Sequence, residues 1–303
     1  MAGFALFLMT VLIWGSTWIA IEGQAGPVAP QVSVAYRFLL AGAVLLAWCL
    51  LLRRPLGYRW RQHGWIALQG LCLFCLNYIP LYWASHWLTS GLVAVGFSSV
   101  VIFSIVFSAI AFRRPIEARV LAGGGLGIAG LAVIFQPELA ADGVAGTTLL
   151  GLGLTIVAAL LAAFGTVLGS RNQRAGLPIM QTNGFGMVYG GLACALIAVA
   201  SGDRWIVDLS AHYLGSLAYL VLFGSVIGFW GYLTTVGRLG PERAAFIPVL
   251  FPCVALAISS LVEGFAWTPS AIVGLALVLL GNALALVRPP RLAMRARRAG
   301  VAG

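Results

Sequence analysis

The chain has 303 residues, 61% of them apolar and 9% charged, against about 25% charged in soluble domains. That balance excludes both a soluble surface and a disordered chain, so the polypeptide is read as an integral membrane protein. The net charge of +10 does not indicate nucleic acid, because the basic residues are all arginines scattered through short loops rather than gathered on one face.

About 20 apolar residues cross a hydrocarbon core, and ten runs of that kind are predicted: 3–21, 33–52, 64–83, 90–112, 119–136, 149–169, 180–200, 212–235, 244–262 and 270–287. The loops between them leave no room for a soluble catalytic domain. The first span lacks a basic leader and a cleavage site, so it is read as retained and not as a signal peptide. The five cysteines lie inside apolar runs, and the Cys72/Cys75 pair has no second pair or nearby histidine to complete a metal set.

Arginine sets the orientation. The loops after spans two, four, six and eight, with the segment 288–303, carry sixteen of the eighteen arginines, whereas the alternate loops carry only Arg204 and hold six of the eight acids. The positive-inside rule then places the arginine-rich side and both termini in the cytoplasm. A multi-pass protein of a bacterial inner membrane is expected.

The two halves resemble each other at an offset of about 150 residues: Trp14-Gly15-Ser16 aligns with Phe164-Gly165-Thr166, and Gln31 with Gln181. At an offset of 151, Leu88 and Ala94 align with Leu239 and Ala245. Each half has five spans, an odd number, so the second half enters the membrane inverted. The expected fold is all-α, with ten transmembrane helices in two inverted five-helix repeats, 1–136 and 149–287, followed by a basic cytoplasmic tail, 288–303. Secondary transporters are commonly built this way, with the substrate site between the repeats near the midplane. Glycines spaced four apart, Gly123/Gly127, Gly165/Gly169, Gly186/Gly190 and Gly224/Gly228, predict close helix packing.

The stretches Trp14-Gly15-Ser16-Thr17-Trp18, Tyr36-Arg37-Phe38 and 125–134, with 239–252, Glu263, Gly274 and Gly281, resemble the drug/metabolite transporter superfamily, specifically its EamA-type ten-helix members. The resemblance covers essentially the whole chain. It implies a transporter that exports amino acids, related metabolites or lipophilic cations. One departure is visible: members often carry an acid after span four to match Glu263, and here that stretch reads Phe112-Arg113-Arg114-Pro115.

Candidate cavity residues are those polar or aromatic groups that share a helix face. Trp14, Thr17 and Trp18 lie on span one, Asn77, Tyr78 and Tyr82 on span three, and Phe97, Ser98 and Ser99 on span four. Phe164 is the repeat partner of Trp14, and Trp230 and Phe246 are weaker candidates. Pro252, like Pro248, removes a backbone donor and leaves a carbonyl for a cavity. Plain packing is the competing reading for each of them. Glu22, Arg37 and Glu263 are taken as structural charge, with Arg37 about one turn inside its span. Asn183 and Asn282 are read as helix-to-helix hydrogen bonds.

No Asp, Glu or His is expected near the midplane, so facilitated diffusion of neutral or aromatic amino acids by alternating access is expected. A multidrug or other metabolite exporter with ion coupling stays open. An intramembrane enzyme is disfavoured, because the acids are scattered. No cofactor is expected. The expected partners are a small-molecule substrate and the bilayer, with the protein a monomer or weak homodimer.

Overall fold

The computed structural model describes residues 2–113, 115–140, 145–239 and 244–287, so Arg114, Arg243 and the tail 288–303 lie outside the described residues. The described residues form ten helices in chain order: α1 (Ala2–Glu22), α2 (Pro30–Leu51), α3 (Trp60–Ala84), α4 (Ser90–Ala111), α5 (Ala118–Ala140), α6 (Ala145–Arg174), α7 (Ile179–Ala200), α8 (Ala211–Tyr219, Leu220–Ile227 and Gly228–Leu239 in succession), α9 (Ile247–Val262) and α10 (Pro269–Leu286). Nine of them are long and apolar enough to cross a membrane. The tenth, α9, has 16 residues, about 24 Å at 1.5 Å per residue. Its start is set by Pro248 in the first turn, where a missing N–H costs nothing.

Local chemistry marks the helix ends. Pro30 and Pro269 open α2 and α10, and the Ser210 and Thr268 side chains accept hydrogen bonds from the Tyr213 and Ala271 N–H groups. Gly176 and Gly264, at φ of 78° and 74°, end α6 and α9 in the left-handed conformation that a glycine adopts without strain. Two helices are locally unwound into π-helical segments, Cys72–Leu76 in α3 and Leu220–Ile227 in α8. They occupy matching places in the two halves. A π segment adds a residue to the turn and rotates the side chains that follow it. Between the two straight parts of α4, the Ser98 and Ser99 hydroxyls bond back to the Val95 and Gly96 carbonyls at 2.7 and 2.8 Å, which bends the helix there.

The helix pairs follow a symmetry. The most extensive contacts are α5 with α10 and α2 with α7, each of which maps onto itself when five is added to or subtracted from every helix number. Under the same exchange α1–α9 maps onto α4–α6, α1–α8 onto α3–α6, and α3–α7 onto α2–α8. The α4–α9 pair maps onto itself and crosses between the halves.

Glycine permits close helix approaches, at the four-apart spacing expected and, between α5 and α10, at a further spacing of seven. A Cβ on Gly123 would lie 2.4 Å from the Gly281 carbonyl oxygen, and one on Gly130 would lie 2.6 Å from that of Gly274. The α5–α10 seam is thus built on residues seven apart on both helices, and the Gly127 backbone joins it, its nitrogen 2.8 Å from where a Cβ on Gly281 would lie. The other expected pairs also pack closely: Gly186 and Gly190 against Gly70 and Phe74, Gly165 and Gly169 against Leu73 and Gln69, and Gly224 and Gly228 against Thr17 and Trp14.

Arg119 closes the seam at the arginine-rich end. It pairs with Glu117 at 2.6 Å and donates to the Ala285 and Val287 carbonyls at the end of α10. Those carbonyls have no partner within the helix. Arg119→Ala is expected to cost about 1–3 kcal/mol, read as a lower melting temperature of the purified protein, with Arg119→Lys recovering only part of it.

Candidate functional site

At the arginine-rich end the two halves diverge around a cavity of about 1340 Å³. Phe112, Pro115, Arg119, Gln173, Arg174 and Val287 line its mouth, and Ile21, Arg37 and Leu81 lie at its deep end. Beyond the deep end the halves are tied together. The Glu263 carboxylate accepts from the Ser90 N–H at 2.9 and 3.2 Å and from the Ser90 hydroxyl, joining the end of α9 to the start of α4. Ser33 and Tyr213 share a hydrogen bond of 2.9 Å between α2 and α8. The cavity is therefore open at the arginine-rich end and shut at the acid-bearing end.

The walls are aromatic. Trp18 sits between Phe97 and Phe251, with ring centroids 5.3 and 5.5 Å away. Trp14 packs on Tyr232 and Phe229 and donates its indole N–H to the Gly224 carbonyl at 3.2 Å. Thr17 turns its hydroxyl back to the Trp14 carbonyl. The polar groups are few and specific. Asn77 follows directly on the π segment of α3, is buried, and leaves Oδ1 without a partner. The Trp18 indole N–H is likewise unpartnered. Gln69 donates to Asn183 at 3.1 Å and accepts from Asn172 at 2.9 Å, an amide chain linking α3, α6 and α7 at the cavity wall.

Arg37 is the buried charge of the site. Because α2 begins at Pro30, the residue lies about 10 Å along the helix at 1.5 Å per residue, two turns in rather than one. It is 2% exposed, so it does not snorkel. Its guanidinium lies over the Phe38 and Tyr78 rings at 4.9 and 4.7 Å, its Nε faces the Ser225 hydroxyl at 3.4 Å, and its Nη1 has no hydrogen-bond partner. Among the described residues the ion pair is Arg119 with Glu117, and no acid stands within ion-pair distance of Arg37. Glu22 lies within electrostatic reach of Glu263 and His212.

Of the candidate cavity residues named from sequence, Trp14, Thr17, Trp18, Asn77, Tyr78, Phe97, Phe246 and Pro248 line the cavity. The others are placed elsewhere. Tyr82 is buried above the deep end, donating to Gln24 at 2.6 Å. Ser98 and Ser99 form the bend of α4, where the Ser98 hydroxyl also accepts from Asn282. Phe164 is 43% exposed and packs against Phe107. It stands two residues from Ala162 and Thr166, which do line the cavity, and two residues are about 200° around a helix. Trp230 is displaced in the same way and borders a small outer cleft with Met180 and Asn183. Pro252 is buried within α9, one residue past the cavity-lining Phe251. Sequence reasoning missed Gln69, Tyr232 and the hydroxyls of Ser104, Ser108 and Thr166 as wall residues. A glutamine inside an apolar run was the available signal for Gln69.

Comparison with known proteins agrees with this architecture. The EamA-like transporter family matches residues 1–136 and 149–287. The chain is 30% identical over 254 residues to the uncharacterized inner membrane transporter YedA of Escherichia coli (strain K12), covering 83% of this chain and 79% of that protein. It is 28% identical over 264 residues to the uncharacterized transporter sll0355 of Synechocystis, covering 82% of this chain and 79% of that one. A solved crystal structure superposes with a TM-score of 0.70 at 18% identity, covering 96% of this chain and 98% of that chain.

Proposed function

The chain belongs to the EamA-like transporter family, and on that premise we propose that this multi-pass membrane protein exports small metabolites, foremost neutral or aromatic amino acids, by alternating access. The observation that carries this reading is the cavity: wide enough for a small molecule, walled by Trp14, Trp18, Tyr78, Phe97 and Phe251, supplied with a few unpartnered polar groups, and shut at one end. Ligand sites have that character, mostly apolar with a small number of placed polar groups.

The positive-inside rule puts the open mouth toward the cytoplasm, in a bacterial inner membrane with both termini inside. Cargo then enters from the cell, and Arg174 at the mouth favours anionic and zwitterionic solutes. Transport follows when the α4–α9 pair, splayed at the mouth and joined at Ser90–Glu263, reverses its crossing to open the other end.

Facilitated diffusion is the mode that the cavity supports best. Among the described residues its one acid is Glu117, at the mouth and paired with Arg119, so no titrating carrier lies at depth. A lipophilic-cation exporter fits less well, since a cation 4 Å from Arg37 meets about 4 kcal/mol of repulsion at an effective dielectric of 20.

Purified protein in liposomes without an ion gradient is expected to take up labelled phenylalanine or leucine saturably. Asn77→Ala is expected to lower uptake about tenfold, corresponding to one hydrogen bond of about 1.5 kcal/mol. Uptake that requires an imposed proton gradient at fixed substrate gradient would contradict facilitated diffusion.

A further inference from the structure

We infer that Arg37 is the anchor for a carboxylate carried by the transported molecule, which makes the site selective for organic anions and zwitterions over amines. This rests on the reading of the cavity as the transport site. A guanidinium buried without a counter-ion is costly, and a protein that retains one inside a membrane span commonly uses it. Here the cost is only partly met. The faces of Phe38 and Tyr78 cover the guanidinium by cation–π contact, and Ser225 takes Nε from the side of α8. Those contacts, with the Tyr82 hydroxyl also beside the guanidinium, fix the plane of the group, and Nη1 stays buried and without a hydrogen-bond partner at the cavity's deep end.

The surroundings suit a carboxylate. Gly224 lets the α8 backbone pass close to the group, since a Cβ there would lie 2.8 Å from the Thr17 methyl carbon and 3.4 Å from Nη2. The unpartnered Trp18 indole N–H is a second donor on the same cavity wall, and Asn77 Oδ1 is an unpartnered acceptor able to receive an ammonium. A two-point carboxylate contact to a guanidinium is the strongest hydrogen-bonding arrangement open to this side chain. The cargo is thus an α-amino acid or a simple monocarboxylate with an apolar body. Its charged end lies at the shut end of the cavity and its side chain among the aromatic rings.

Three probes separate the charges: phenylalanine, 3-phenylpropionate, which lacks the amine, and phenethylamine, which lacks the carboxylate. Binding to the purified full-length protein is measured by calorimetry. Wild type is expected to bind phenylalanine and 3-phenylpropionate, and phenethylamine at least tenfold more weakly. Arg37→Gln is expected to lose at least tenfold in 3-phenylpropionate affinity. Should that variant fail to fold, Ser225→Asp decides the matter. It sets a carboxylate beside Nε, neutralises the guanidinium from within, and is expected to yield folded protein that no longer binds 3-phenylpropionate.

Phenethylamine binding as tightly as 3-phenylpropionate, no 3-phenylpropionate binding by wild type, or unchanged binding in Ser225→Asp each overturns the inference. If phenylalanine is transported while 3-phenylpropionate is not bound, the anchor fails and the transport reading stands. If 3-phenylpropionate binds through Arg37 while no amino acid is transported, the anchor stands and the amino-acid reading fails.

Discussion

Replacing Glu263 by glutamine is expected to open the acid-bearing end, so that a membrane-impermeant maleimide labels Ile21→Cys at least fivefold faster in the Glu263→Gln background. Ile21 lines the deep end of the cavity and is 4% exposed in the shut state. The carboxylate holds α4 to α9 through the Ser90 N–H and hydroxyl. Neutralising it exchanges charge-assisted hydrogen bonds for ordinary ones, a loss of about 1–2 kcal/mol. A loss of that size shifts a two-state ratio by about 5- to 30-fold. The repeat explains why the effect has a direction. At the offset of 151, Glu263 corresponds to Phe112 and Ser90 to Pro241. The opposite closure therefore has neither the carboxylate nor the N–H, and the arginine-rich end is the one that stands open. Unchanged labelling of Ile21→Cys would show that the latch does not set the equilibrium.

Gly130→Ala is expected to be among the most damaging single-atom additions in the protein, costing about 3 kcal/mol. The added methyl group meets the Gly274 carbonyl oxygen at 2.6 Å and the Val278 N–H at 2.8 Å, and backbone atoms cannot move aside as a side chain can. The reciprocal change Gly274→Ala meets the Gly130 carbonyl at 2.7 Å and is expected to behave alike. Gly125→Ala, on the same helix with nothing within 4 Å, is the control and is expected to be neutral or slightly stabilising. The comparison is read as melting temperature and monodisperse yield in detergent. Equal behaviour of Gly130→Ala and Gly125→Ala would mean that the α5–α10 seam is looser than its geometry.

The helices were legible because membrane spans are long and apolar, and that signal needs no tertiary context. The pairing of the halves was legible in the alignment of Trp14-Gly15-Ser16 with Phe164-Gly165-Thr166. Which side of a helix faces the cavity was not. Trp14 lines it while Phe164, its aligned partner, faces outward. An alignment conserves position along a helix, but the two halves do not enclose the cavity with the same helix faces. The depth of Arg37 was misjudged because the helix starts at Pro30, several residues before the apolar run becomes dense. The π segments of α3 and α8 left no trace in residue type, although the first of them directly precedes Asn77. The glycine packing was legible in the pairs spaced by four, whereas the contribution of Gly130 and Gly274, seven residues from Gly123 and Gly281, was not.

Counterflow tests the central claim most directly. Liposomes containing the purified protein are preloaded with unlabelled phenylalanine and diluted into a trace of labelled phenylalanine, with no ion gradient. One cavity exposed to each side in turn predicts a transient accumulation of label above its equilibrium level. That accumulation is absent from empty liposomes and reduced by Asn77→Ala. Label that only equilibrates, at a rate indifferent to the preload, would contradict alternating access through this cavity.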